Sequence, residues 1–281
     1  MHLSSLWHAR FLPVLLLPLF ASSLLAETPK PSAKTPAAEA ATATTPTATT
    51  PTGTTPTGTK RPDSAKFAKD IAKFDDEEKS STPPPRGGIV FTGSSSVRMW
   101  KNLKTDFPDL PVINRGFGGS VANDLLVYFD RVIARYQPKV IVLYTGSNDI
   151  NAKLTLDEAY ADYTKVLDLI HEKLPNTRVV VNAVKYSEKR IDQMDKVTAL
   201  NKKLEAWCKE HDWSRWVESA SHLLDKDGKP RTAEVYLKDK LHLNEKGYAE
   251  WKAILDPALR EEWTKANGTA TATTTAKTKG S

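Results

Sequence analysis

The chain has 281 residues, with 40 Lys+Arg against 34 Asp+Glu and a single cysteine, Cys208. One cysteine excludes an internal disulfide framework and any metal site built from several cysteines. Residues 83–263 contain 28 basic and 26 acidic residues and no basic stripe with interleaved aromatic side chains, so we expect no nucleic-acid partner.

Residues 1–26 have the order of a secretory signal peptide. Arg10 precedes an apolar run at 11–21 that contains Pro13 and Pro18, and a short segment ending in Ala26 follows. The run is shorter than the about 20 apolar residues that a membrane span needs. We therefore expect cleavage after Ala26, a secreted or periplasmic (cell-envelope) location, and no stable membrane span after leader cleavage.

Residues 27–62 consist mainly of Thr, Ala and Pro, and residues 264–281 are similarly poor in large apolar side chains. Such segments bury too little apolar surface to offset the entropy of ordering, so both are predicted to be disordered. The first is interpreted as a spacer, with low-complexity drift as the alternative. The folded domain is then predicted at 63–263.

The domain begins with Phe67, Ile71 and Phe74 at helical spacing, which predicts an amphipathic helix over 64–79. Strands and helices then alternate, which predicts a parallel sheet covered by helices on both faces. The predicted strands are 88–92, 111–114, 139–145, 177–184 and 214–217. The predicted helices after the first are 97–107, 121–136, 156–174, 191–211 and 245–259.

Ligands of such sheets bind outside the carboxyl ends of the strands. The first strand is followed by GSSS at 93–96, the second by NRGFGGS at 114–120 and the third by GSND at 146–149. Each run has two interpretations. The serines either cap a helix or offer a hydroxyl beside free N–H groups. The glycines form either a plain turn or a close backbone approach to a ligand. In the third run, either Asn148 or Asp149 caps a helix, or Asn148 supplies an uncharged hydrogen-bond donor.

Asp239 stands three residues before His242, close to the predicted closing helix. A carboxylate at this spacing can bond one ring nitrogen and leave the other free as a base, although such pairs also arise by chance. Together with a serine, a glycine and an asparagine at strand ends, the pair completes the set of groups that acyl transfer requires.

The runs IVFTGSSS, VINRGFGG, VLYTGSND and DKLHL resemble the motifs of the SGNH (GDSL-type) esterase and acylhydrolase family. The resemblance extends over about 88–259 and is strongest to the compact branch of platelet-activating-factor acetylhydrolase subunits and small bacterial esterases. It implies an α/β fold, a flavodoxin-like three-layer α/β/α sandwich around a five-stranded parallel sheet.

By position, the resemblance implies Ser95 as nucleophile, Gly119 and Asn148 as oxyanion-hole residues, and Asp239 and His242 as the rest of a triad. It implies no metal or organic cofactor.

The expected partner is a small-molecule or polysaccharide ester, with deacetylation of a carbohydrate favoured over hydrolysis of a lysophospholipid or other lipid ester. A catalytically silent glycan-binding module and a phosphate- or flavin-binding flavodoxin-like protein remain as alternatives. The oligomeric state is left open.

Overall fold

The computed structural model describes residues 58–278, with side chains described up to residue 268. The predicted signal peptide and the predicted linker up to residue 57 lie outside the described residues.

Five parallel strands form one sheet in the order β2-β1-β3-β4-β5. Their bounds are Ile89–Gly93 (β1), Val112–Gly116 (β2), Val140–Tyr144 (β3), Arg178–Asn182 (β4) and Ser214–Val217 (β5). The central strands β1 and β3 are buried along their whole length, as their continuous apolar sequences require. The predicted five-stranded parallel sheet is confirmed.

Helices cover both faces of this sheet. Their bounds in chain order are Ala68–Glu78 (α1), Ser95–Arg98 (α2), Leu103–Asp106 (α3), Ala122–Val127 (α4), Phe129–Val132 (α5), Ser147–Asn151 (α6), Leu156–Lys173 (α7), Met194–Lys209 (α8), Thr232–Val235 (α9) and Glu245–Thr278 (α10). Short 3-10 turns lie at Ser64–Phe67, Ala134–Tyr136, Glu188–Gln193 and Ser221–Leu223.

The core has two halves, one on each face of the sheet. Alternate residues of a strand point to opposite faces, so Val90 and Ile141 join one half while Phe91 and Val142 join the other. The first half packs against α4, α7 and α8, and the second against α2, α3 and α10. This gives the three layers that the family resemblance implied.

Several predicted helices are interrupted. The predicted helix 97–107 is split into α2 and α3, because the chain turns to bring Trp100 and Phe107 into contact with Phe91 in the core. The predicted helix 121–136 breaks at Tyr128 and again at Ile133, which has φ −130° and ψ −68°. Period-3.6 patterns therefore marked the buried face correctly but not the breaks between short helices.

The closing helix α10 runs to Thr278, well beyond the predicted end at residue 259. Residues 264–268 belong to the predicted disordered tail, but Ala266 is 5% exposed and Lys139 Nζ donates to Asn267 Oδ1 over 2.6 Å. At the other end of the domain, Thr59 and Arg61 of the predicted linker bond Glu158 and Asp162 on α7.

Between residues 58 and 278, no helix combines the length and apolar character of a membrane span.

Candidate active site

Ser95 is placed by a sharp turn at the carboxyl end of β1. Gly93 has φ +125°, and a Cβ on it would lie 1.8 Å from the carbonyl oxygen of Tyr144, so only glycine fits between β1 and β3. Ser94 N–H then donates to the same carbonyl over 3.1 Å, and Ser95 begins α2. Of the serines at 94–96, Ser95 is the one whose hydroxyl bonds an imidazole.

That imidazole is His242, whose Nε2 lies 2.8 Å from Ser95 Oγ. Its Nδ1 lies 2.6 Å from Asp239 Oδ2. An ionised carboxylate only accepts, so Nδ1 carries the proton and Nε2 of the neutral ring accepts from the serine hydroxyl. The structure therefore brings these residues, 147 positions apart in sequence, into one hydrogen-bonded row.

The loop before α10 holds the carboxylate in place. Asp239 Oδ1 accepts the backbone N–H groups of Leu241 and His242, each over 3.0 Å, and Lys240 adopts a left-handed φ of +57° at the turn. Burial acts to raise the pKa of Asp239, but the hydrogen bonds from the His242 ring and from these two N–H groups outweigh it and lower the pKa to about 2. The carboxylate is thus ionised throughout the neutral range.

Asn148 lies at the carboxyl end of β3, in the first turn of α6. Its Oδ1 accepts from Arg190 Nη2 over 2.9 Å, and its Nδ2 donates to the carbonyl oxygen of Ser120 over 2.9 Å. An amide nitrogen carries two protons, so one N–H of Asn148 remains for another acceptor.

Helix capping at this turn is done by Asp149. Its carboxylate accepts the N–H of Gly146 over 3.1 Å and that of Ala122 over 2.9 Å. Burial raises the pKa of Asp149 to about 7. Of the two residues predicted as possible caps, Asp149 therefore fills that role, while the side chain of Asn148 bonds Ser120 and Arg190 instead.

Gly119 lies in the exposed turn after β2 and has φ +85°, which favours glycine. Its neighbour Ser120 bonds the carbonyl of Gly93 through Oγ over 3.2 Å and accepts from Asn148. These bonds tie the glycine turn to the ends of β1 and β3. Gly119 does not line the small cavity described next.

A cavity of about 10 Å³ lies beside Ser95, Asn148 and His242. Its wall also contains Lys185 and Arg190. Both follow β4 in the chain, and neither was predicted from the sequence. The sequence gives no signal for these two residues, because they are single basic residues among the 40 Lys+Arg of the chain.

Arg190 stabilises the first turn of α6, which carries Asn148. Its Nη1 donates to the carbonyl and the hydroxyl of Ser147 over 2.8 and 2.6 Å, while Nη2 bonds Asn148. The kink at this residue, with φ −128° and ψ 39°, delays the start of α8 from the predicted residue 191 to Met194. Burial lowers the pKa of Arg190, whose bonds all run to neutral acceptors.

Lys185 stabilises the loop that carries His242. It is 3% exposed, and its Nζ donates to the carbonyl of Leu241 next to His242. Burial, together with repulsion from Arg190, lowers the pKa of Lys185 to about 7. Two basic residues of one segment therefore support the loop that carries His242 and the helical turn that carries Asn148.

Comparisons with known proteins identify the family and the fold of the chain. The model of the GDSL-like lipase/acylhydrolase family matches residues 87–250. A comparison with curated proteins found no match.

Solved structures share the fold at low sequence identity. A protein from Streptococcus pneumonia described as a platelet activating factor has a TM-score of 0.61 at 21% identity, covering 69% of this chain and 93% of its own. A GDSL-like lipase from Bacteroides thetaiotaomicron has a TM-score of 0.58 at 19% identity, covering 70% and 97%. An acetylxylan esterase from Geobacillus stearothermophilus has a TM-score of 0.51 at 13% identity, covering 63% and 95%. The chain belongs to the GDSL-like lipase/acylhydrolase family and is a carboxylic ester hydrolase.

Proposed function

We propose that the protein is an exported serine esterase that removes a short acyl group, with acetyl on a carbohydrate as the leading substrate, through an acyl-enzyme intermediate. The observation that carries this proposal is the row Ser95–His242–Asp239, with contacts of 2.8 and 2.6 Å. Such a row also favours an enzyme over a silent glycan-binding module, since binding alone needs no base beside the hydroxyl.

In the proposed reaction, Ser95 Oγ attacks the ester carbonyl carbon while His242 Nε2 takes its proton. The tetrahedral oxyanion accepts bonds from the backbone N–H groups of Ser95 and Gly119 and from the free N–H of Asn148. Its collapse breaks the bond to the alcohol, which leaves with the proton from His242. Water then attacks the acyl-enzyme, with His242 again as base, and releases the carboxylic acid and the free serine.

A short acyl group is supported by the size of the cavity beside Ser95. Its volume of about 10 Å³ is on the order of one water molecule by the same measure. The wall is formed largely by polar side chains, including Ser147 and Asn148. A long acyl chain would need an apolar channel at this place.

The carbohydrate part of the proposal is supported by the sequence, whose predicted leader and spacer favour extracellular polymers. The acetylxylan esterase in the comparison shows that the fold accommodates such an activity elsewhere, at 13% identity. Lysophospholipids remain the alternative substrate class. The exposed large apolar side chains among the described residues are Val127, Ile191 and Leu237.

An ester panel tests the substrate proposal. Acetylated xylo-oligosaccharides, nitrophenyl esters of increasing acyl length and lysophosphatidylcholine are offered to the wild type and to Ser95→Ala. We expect hydrolysis of acetyl esters, falling steeply from butyrate onward, and none by Ser95→Ala. Faster release of long acyl chains than of acetyl would refute the short-acyl proposal.

A further inference from the structure

A cavity of about 810 Å³ runs along the edge strand β2, apart from the small cavity at Ser95. It is called the β2 groove below. Its floor is the strand from Val112 to Gly116, and its walls come from α1 and the Pro83–Pro85 segment on one side and from α2 and α3 on the other. None of the proposed catalytic side chains lines it, so the acyl-transfer proposal leaves this groove unused.

The β2 groove is strongly basic. Its lining contains the cations Arg98, Lys101, Lys104 and Arg115 and a single acid, Glu77. Arg115 pairs with that acid at 2.8 Å. Arg98, Lys101 and Lys104 are exposed, and none of them forms an ion pair with another described residue. Three unpaired cations therefore face one groove.

The groove opens next to the reacting groups. Arg98 is the last residue of α2 and Ser95 is the first, so the two lie one helical turn apart. The Arg98 guanidinium also packs on the glycine turn, because a Cβ on Gly118 would lie 2.7 Å from Arg98 Nε. A chain lying in the β2 groove would thus pass beside Gly119 and Ser95.

The side chains that line the β2 groove distinguish between possible classes of anionic ligand. A single-stranded nucleic acid would need an aromatic face for its bases, but Trp100 is 2% exposed and the ring of Phe74 is covered by the Arg115 guanidinium at 4.8 Å. A lipid surface needs protruding apolar side chains, and the exposed ones, Val127, Ile191 and Leu237, all lie outside this lining.

The remaining polar lining is Ser80, Thr82 and Asn114. The Ser80 hydroxyl already donates to Glu77 and the Asn114 amide bonds Val97 and Gly116, so these two side chains offer a ligand mainly their remaining lone pairs and one amide N–H. These groups suit a chain rich in hydroxyls, and the cations suit carboxylates. Resting on the proposed function, we infer that the β2 groove binds an acidic polysaccharide, a glycan chain with uronic-acid carboxylates, and presents its ester to Ser95.

Binding is measured by calorimetry with the Ser95→Ala protein, so that turnover plays no part. The probes are an oligogalacturonate and a neutral xylo-oligosaccharide of equal length. We expect the oligogalacturonate to bind about tenfold more tightly or better at low salt, with the difference shrinking as salt rises. Lys101→Glu/Lys104→Glu should lose about tenfold in affinity for the acidic probe alone.

The matched control is Lys196→Glu/Lys202→Glu, which reverses two exposed charges on α8 and should leave both affinities unchanged. Arg98→Gln, a neutral change, provides a second groove variant and should also weaken the acidic probe. Equal affinity for the two probes, or equal effects of the groove and control pairs, overturns the inference.

Capture of the protein by phosphatidylglycerol vesicles, with no affinity for the oligogalacturonate, would also overturn it. Hydrolysis of nitrophenyl acetate by the wild type is measured separately. It reports on the proposed esterase alone, so failure of the groove and failure of the esterase are told apart.

Discussion

The side-chain amide of Asn148 has three hydrogen-bonding groups, and two of them are used inside the protein, by Arg190 and by Ser120. The third is the N–H that the proposed oxyanion hole needs. The polar atoms of His242 are also used inside the protein, since each of its two ring nitrogens has one hydrogen-bond partner. At the scale of single residues, the site is determined by which polar atoms are already satisfied.

Loss of Arg190 should therefore weaken catalysis without removing a reacting group. We expect Arg190→Met to lower kcat about 10- to 100-fold with little change in KM, short of the ~100- to 1,000-fold typical for losing an oxyanion donor. In the Asn148→Ala background the same change should cost much less, because the amide that Arg190 orients is gone. The readout is nitrophenyl acetate kinetics, with the exposed neighbour Lys189→Met as control.

Equal effects of Arg190→Met in the two backgrounds would show that Arg190 does not act through Asn148.

Because Lys185 is buried, we expect the free energy of unfolding to depend on pH. Its pKa is lowered from 10.5 to about 7 in the folded protein. Between these values the unfolded chain binds more protons, so the free energy of unfolding rises with pH across this window, and below it the cost of burying the charge is present in full. Relative to Lys185→Met, the wild type should gain about 2 kcal/mol between pH 7 and pH 9.

Urea unfolding at the two pH values measures this difference, with Lys189→Met as the variant that should show no such change. A stability difference between wild type and Lys185→Met that stays constant with pH would refute the assignment.

At the scale of elements, the five strands and their parallel order follow from apolar runs of strand length separated by helical patterns. The strand ends also pointed to the runs at 93–96, 114–120 and 146–149, since a parallel sheet gathers these ends at one edge. The choice of Ser95, Gly119 and Asn148 within those runs came from the family resemblance. The break of the predicted helix 97–107 near Trp100 and the delayed start of α8 after Arg190 were not predictable, because they depend on contacts with distant residues. Local periodicity carries no information about such contacts.

The turn after β1 offers a test at this scale. We expect Gly93→Ala to destabilise the protein by about 4 kcal/mol or more, since its Cβ would overlap the Tyr144 carbonyl. Gly228 has φ +75° but nothing within 4 Å of a built Cβ, so Gly228→Ala should cost only about 1 kcal/mol of backbone strain. Thermal and urea unfolding compare the two variants, and similar losses would contradict the steric argument.

At the scale of the whole molecule, the site lies where the strand order reverses. With β1 flanked by β2 on one side and β3 on the other, the chain leaves the sheet in opposite directions at this point and opens a crevice. Ser95, Gly119 and Asn148 follow the three strands that meet there, and the loop before α10 brings His242 across. Lys185, Arg190 and the β2 groove needed the folded structure, because burial and charge neighbours are properties of the assembled layers.

The central claim is that Ser95 is the nucleophile activated by His242, and covalent labelling tests it most directly. A fluorophosphonate probe is added to the folded wild type, His242→Ala and His222→Ala, the last being a change at an exposed histidine outside the site. Peptide mass mapping should place the adduct on Ser95 in the wild type and in His222→Ala, with labelling suppressed in His242→Ala. An adduct on another residue, or no adduct on the folded wild type, would contradict the assignment.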